Sequence, residues 1–172
     1  MWPRPAAIVG VLLGLALILP ACGDERTPAA GKVAATPSKV QAKRPAAAAA
    51  GAKRCQGLLG EFLDSMESLR NLLAVGLSYE DYLRQVGGVR AVYAGVPAKR
   101  LAIACLVRVG TPGERALNVY IDGVNVWGDC LASASCDPES VEPRLQRKWR
   151  RASGFLSTAE SGLRDLRSAT AS

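Results

Sequence analysis

Apolar residues recur at intervals of three and four along four separate stretches of the chain. Leu59, Phe62, Leu63, Met66, Leu69, Leu72 and Leu73 form the first stripe, and Gly76 stops it. Such spacing collects side chains on one face of a helix. Ser78 and Asp81 then read as a capping box. They open a second helix with Tyr79, Tyr82, Leu83, Val86, Val89 and Tyr93 facing inward, and Gly95 and Pro97 end it. Gly87 and Gly88 weaken that helix by about 1 kcal/mol each. A second box, Thr111-Pro112-Gly113-Glu114, has proline at its favoured first position and leads into Leu117, Tyr120, Ile121, Val124, Trp127 and Leu131. The last stripe is the longest: Val141, Leu145, Trp149, Ala152, Leu156, Ala159, Leu163 and Leu166. Asp137-Pro138 and Pro143 are alternative starts for it.

Four amphipathic helices with short connections predict an all-α domain, an antiparallel four-helix bundle. The stretch PAKRLAIACLVRVG is the exception. Leu101 to Val109 is apolar enough for a strand, but no second strand exists to pair with it. The expectation is an irregular or short helical connection, around residues 95–110, packed across the bundle end. Aromatic residues make up 5% of the chain, so the core is expected to rely on Leu and Val.

The N-terminal 54 residues follow other rules. Ala6 to Leu19 is an uncharged apolar run behind Arg4. A bilayer span needs about 20 residues, so this run fits a signal-peptide core instead. It ends on Leu19-Pro20-Ala21-Cys22, which resembles the lipobox of bacterial lipoprotein precursors: an aliphatic residue, a small residue and then the cysteine. The resemblance implies that residues 1–21 are a signal peptide removed before Cys22, and that the Cys22 thiol is diacylated. The protein would then be held by lipid at the extracytoplasmic face of the cell membrane. Two or more fatty chains anchor firmly where one does not. Asp24 stands one place beyond the position where Gram-negative lipoproteins carry an inner-membrane retention aspartate. The Ala, Arg, Gly and Val bias is that of a high-GC genome.

Residues 22–54 are rich in Ala, Pro and Lys and carry no aromatic residue. Such a segment buries too little apolar surface to offset its ordering entropy. It is expected to be a disordered tether beneath a helical domain of residues 55–172. The Ala46 to Ala50 run is too short to persist as a helix in water. The tether also accounts for the basic balance. The whole chain has 22 Lys+Arg and 15 Asp+Glu. Seven of the basic residues and only Asp24 and Glu25 of the acids lie in the tether, which leaves the domain nearly neutral. Nucleic acid is therefore not an expected partner. Anionic headgroups or wall polymers suit charge in an extracytoplasmic tether better.

Cysteine usage agrees with an exported chain. Beyond Cys22 there are four, Cys55, Cys105, Cys130 and Cys136, and an even number outside the cytoplasm favours disulfides. Three pairings are open. In an up-down bundle the start of helix one and the end of helix two share an end, which favours Cys55–Cys105. Cys130 and Cys136 flank one turn and form the second pair. The spacings do not resemble a zinc site, and the chain has no histidine, so no metal and no cofactor is expected. Without histidine, neither a Ser-His-Asp nor a Cys-His arrangement can be built. Paired carboxylates are the remaining catalytic device, and Glu61, Asp64 and Glu67, or Asp122 and Asp129 beside Asn118 and Asn125, are the candidates. Each set reads more simply as a solvated helix face, and Gly87-Gly88 follows no strand that would make it a phosphate loop.

One basic cluster stands apart. Arg144, Arg147, Lys148 and Arg151 share the helix face opposite Leu145, Trp149 and Ala152. It is either an ordinary charged exterior or a site for an anionic envelope polymer or an acidic protein partner. The segment ALNVYIDGVNVWGDC with LQRKWRRAS, within residues 116–153, also resembles uncharacterised helical lipoproteins of high-GC Gram-positive bacteria, a resemblance that brings no activity with it. The expected function is a membrane-anchored binding or scaffolding module of the cell envelope, not an enzyme. An envelope hydrolase using acidic residues, or an accessory subunit of a transporter or sensor, is the alternative.

Overall fold

The computed structural model describes residues 39–169. The residues read as a signal peptide and lipobox, Cys22 included, and residues 23–38 of the expected tether lie outside the described residues. Among the described residues every regular element is helical and there is no strand. The helices are α1 (Lys39–Val75), α2 (Tyr79–Ala94), a single turn α3 (Ile103–Cys105), α4 (Thr111–Leu131) and α5 (Pro138–Ser168). No described helix is long and apolar enough to cross a membrane.

α1 corrects the expected tether boundary. It begins at Lys39, so residues 39–54 are helical, and Ala52 is already buried. An alanine run alone cannot supply a nucleus, but here it extends a helix whose packed turns have already formed one. Each added alanine then propagates at low cost. α1 closes where Gly76 takes a left-handed φ of 106°, a conformation glycine adopts without steric cost. The Gly76 N–H still donates to Leu72 O.

Ser78 caps α2. Its side-chain oxygen accepts from the Asp81 N–H at 3.1 Å, and its hydroxyl donates to the Asp81 carboxylate at 2.8 Å. Asp137 caps α5 by accepting from the Glu139 N–H. This settles the start of that helix, because Pro143 lies inside it. The box at Thr111 does not act as a cap. The chain is already helical there: after a 3-10 turn at Ala98–Arg100 and the extended pair Leu101 and Ala102, α3 and a π-helical turn at Leu106–Gly110 run directly into α4. Thr111 donates its N–H back to Leu106 O, five residues earlier. The wider turn has a cause in the sequence. Pro112 has no N–H to offer the carbonyl of Arg108, so the α-helical bond at that step cannot form. The expected connection at 95–110 is thus mostly helical, with Cys105 and Val109 buried one turn apart.

α1 packs on α2 and α5, and α4 packs on α2 and α5. One core draws on all four long helices. Leu59, Phe62, Met66 and Leu69 of α1 meet Tyr82 and Val86 of α2, Leu117 and Tyr120 of α4, and Leu156 of α5. The few aromatic residues carry more of this core than composition suggests: Tyr82, Tyr120 and Phe62 are the largest fully buried side chains. They are admitted by glycines on the facing helix. A Cβ at Gly113 would stand 2.9 Å from Phe62, and one at Gly123 2.5 Å from the Tyr82 hydroxyl. A smaller apolar group of Cys130, Val141 and Leu145 joins Trp127 and Trp149 near the α4–α5 turn. Two inward assignments fail, since Leu83 and Leu131 are about half exposed. Both sit at the margin of their stripes.

Candidate functional site

α5 places Leu145 and Ala152 in the core and turns the opposite face outward. Arg144, Arg147, Lys148 and Arg151 stand along that outer face and together line a shallow depression of about 240 Å³. Helical spacing brings them together, since residues three and four apart are neighbours on a helix surface.

The four cations are not equivalent. Lys148 Nζ lies 3.6 Å from Asp122 Oδ2 of α4, so one charge of the cluster is matched across the helix pair. The Arg151 guanidinium sits 5.6 Å above the Phe155 ring, a cation–π contact that holds its stem without neutralising it. No described carboxylate pairs with Arg144 or Arg147. Guanidinium groups present a planar fork that matches phosphate or carboxylate oxygens two at a time. Chemically the face can bind oxyanions.

The carboxylates are scattered outward. Glu61, Asp64, Glu67, Asp122 and Asp129 are all exposed, as are Asn118 and Asn125. Glu67 pairs with Arg70 at 3.2 Å, and Arg70 also reaches Glu160 at 3.4 Å, linking α1 to α5. No polar or charged residue is buried among the described residues. Nor do three potential metal ligands converge among them. The cysteines stand at disulfide distance in two pairs. The Cα atoms of Cys55 and Cys105 are 5.7 Å apart, and those of Cys130 and Cys136 are 5.2 Å apart.

Two cavities were not foreseen. One, of about 330 Å³, has Leu73, Leu77, Trp127, Val141, Leu145 and Trp149 on its walls and Glu139, Glu142 and Gln146 at its edge. The other, about 310 Å³, lies between α1, α2 and the α3–α4 junction and includes Leu59, Tyr93, Leu101 and Glu114. Neither joins residues on a single periodic face, so no spacing signal announced them. Burial raises the Tyr93 hydroxyl above its ordinary pKa of 10.0, and Glu114 adds to the effect. Burial likewise raises Tyr82 and Tyr120. Tyr82 spends its proton on the Tyr120 carbonyl, which it meets at 2.7 Å.

No family model, no curated protein and no solved structure matches this chain.

Proposed function

We propose that the protein is an extracytoplasmic lipoprotein, anchored through Cys22, whose helices form an antiparallel four-helix bundle that serves as a binding module of the cell envelope. The closed circuit of contacts, α1 to α2 to α4 to α5 and back to α1, supports the bundle. The lipobox resemblance supports the anchor. One observation carries the binding reading: Arg144, Arg147, Lys148 and Arg151 line a single depression while the candidate catalytic carboxylates all point to solvent. A glycosidase needs two carboxylates converging on one bond, and Glu61, Asp64, Glu67, Asp122 and Asp129 are all exposed instead. The ligand class that fits the face is an anionic polymer with repeating phosphate or carboxylate groups.

The test uses the full chain with all four cations replaced by glutamine. Association with a soluble polyphosphate should weaken at low salt, and the difference should shrink as salt screens exposed charges over about 10 Å at 0.1 M. Equal binding by the two proteins at low salt would return the face to ordinary solvated surface. The anchor is tested separately. Cys22→Ala should abolish lipidation and leave the precursor unprocessed or the protein shed. A mature-sized variant still fractionating with membranes would remove the lipoprotein reading.

A further inference from the structure

Ile103 and Val107 are among the most exposed large apolar side chains of the described residues, at 80% and 64%. Single exposed aliphatics are ordinary. These two are not single: they lie four residues apart on consecutive helical turns and face away from Cys105 and Val109, which are buried. The charge around them is one-sided. From residue 82 to residue 113 the chain carries Arg84, Arg90, Lys99, Arg100 and Arg108 and no acid at all. Arg84 is matched by Asp81. Lys99, Arg100 and Arg108 are exposed and pair with no described carboxylate. Nor is the tip a loose loop. Cys105 stands at disulfide distance from Cys55 of α1, and the Arg108 backbone packs against Gly162 of α5.

We infer that this tip, residues 98–108, docks on an anionic lipid bilayer. Ile103 and Val107 enter the headgroup–acyl boundary, and Lys99, Arg100 and Arg108 contact anionic headgroups. Apolar side chains ringed by basic ones are what that interface rewards. A protein partner with an acidic rim would ask for the same charges. The bilayer is favoured because Ile103 and Val107 stand out into solvent as a small apolar pair, and such a pair inserts into a fluid boundary without shape matching. Docking rests on the lipoprotein reading only for bringing the chain to a membrane. It also separates two surfaces. Arg144 stands roughly 27 Å along α5 from Gly162 at about 1.5 Å per residue, so the tip and the basic face of α5 are distinct surfaces.

The described chain contains only two isoleucines, Ile103 and Ile121, and Ile121 is half-buried on α4. Cleavage before Cys22 removes Ile8 and Ile18, so methyl-labelled isoleucine in the mature lipidated chain reports the tip and an internal control in one spectrum. In nanodiscs of phosphatidylcholine with phosphatidylglycerol, doped with a lipid carrying a nitroxide near its headgroup, the Ile103 methyl should broaden and the Ile121 methyl should not. Discs of phosphatidylcholine alone should broaden Ile103 less. The triple variant Lys99→Gln, Arg100→Gln, Arg108→Gln, and separately Val107→Ser, should each reduce the broadening in anionic discs, since each basic residue near such a surface is worth about fivefold in partitioning. Both changes fall on exposed side chains, and thermal unfolding should show that they leave the fold intact. A chain bound to anionic discs with a sharp Ile103 signal overturns the docking while leaving the anchor standing. A chain that stays off anionic discs overturns both. Equal broadening of Ile103 and Ile121 also overturns it, because that result reports nonspecific contact.

Discussion

The backbone carbonyl of Arg108 rests against the Cα of Gly162, at a point where no side chain has room. A Cβ built on Gly162 falls inside the van der Waals envelope of the Arg108 oxygen and stands 3.1 Å from the Arg108 Cβ. The contact fastens the π-helical turn to α5 at a carbonyl that Pro112 leaves without its α-helical donor. Backbone cannot swing aside as a side-chain tip can. Gly162→Ala should therefore destabilise by about 1–3 kcal/mol, the usual range for overpacking. Gly154 lies on the same helix and meets nothing within 4 Å. Gly154→Ala should be neutral or stabilising by about 0.5–1 kcal/mol. Urea unfolding of the two variants checks the pair, and equal effects would show that α5 does not sit on the π turn as described.

A second test concerns the Tyr82 hydroxyl, which is wedged between Gly123 and the Tyr120 carbonyl. Tyr82→Phe keeps the ring and removes the hydrogen bond, at a cost of about 0.5–1.5 kcal/mol. Gly123→Ala should cost more, because its Cβ would stand 2.5 Å from the hydroxyl and 3.4 Å from the Trp149 indole nitrogen. Combining the two should recover part of that loss, since the phenyl ring lacks the clashing oxygen. The coupling is read from a double-mutant cycle. Strict additivity would place the Tyr82 hydroxyl somewhere else.

Alkali should unfold the domain through the same residues. The phenols of Tyr82, Tyr93 and Tyr120 are all raised above 10.0, chiefly by burial. A group whose folded pKa is raised contributes stability that is fully present below its unfolded value and is lost as pH climbs toward the folded one. The contribution of these tyrosines to stability should therefore be constant below about pH 9 and be lost above pH 10. Tyrosinate absorbance should appear together with the loss of helix. Free titration of every tyrosine near pH 10 with the helices intact would contradict their burial.

How far the fold is legible in the sequence depends on the range of the interaction that decides each feature. Gly76, the Ser78 cap and the stripes of α1, α4 and α5 are local, with spacing and a cap residue sufficient to read them. The basic face of α5 is legible for the same reason, since i, i+3, i+4 and i+7 repeat on one helix. The box at Thr111 misleads because its meaning depends on what precedes it: a helix already running from Ile103 leaves no free N-terminus to cap. The tether boundary misleads because propensity reasoning treats Ala46–Ala50 alone, whereas packing of Ala52 and Cys55 onward supplies the nucleus. Gly162 carries no local signal. Its need for glycine is set by Arg108, more than fifty residues away, through a register that only the packed helices define.

The cysteine pairs make a quantitative prediction. Non-reducing peptide mapping should recover Cys55 linked to Cys105 and Cys130 linked to Cys136, and a Cys55–Cys130 peptide would overturn both. Closing a loop of sequence separation 50 is worth about 4 kcal/mol on the loop-entropy model, and closing one of separation 6 about 2 kcal/mol. Replacing Cys55 and Cys105 by alanine should accordingly lower the unfolding midpoint more than replacing Cys130 and Cys136. The larger effect also has a packing part, because Cys55 and Cys105 are the more deeply buried pair.

The last prediction separates the four cations of the α5 face. Lys148 is the only one with a carboxylate within ion-pair distance, Asp122 at 3.6 Å. Both side chains are partly exposed, so the pair itself should contribute under about 1 kcal/mol to folding. Asp122→Asn should leave the unfolding midpoint nearly unchanged. It removes the negative charge paired with Lys148 and releases that lysine to an incoming anion. If the face binds polyanions, Asp122→Asn should tighten association with polyphosphate at low salt, while Arg144→Gln and Arg147→Gln each loosen it. The gain from Asp122→Asn should disappear in the background of Lys148→Gln if it acts through that lysine, and persist if it acts through the general field of the face. Titration of the four single variants and the Asp122→Asn, Lys148→Gln double variant at two salt concentrations decides between these. Looser binding by Asp122→Asn would mean that the aspartate orients Lys148 for the ligand rather than competing with it. Its role in the site would then be the reverse of the one assigned.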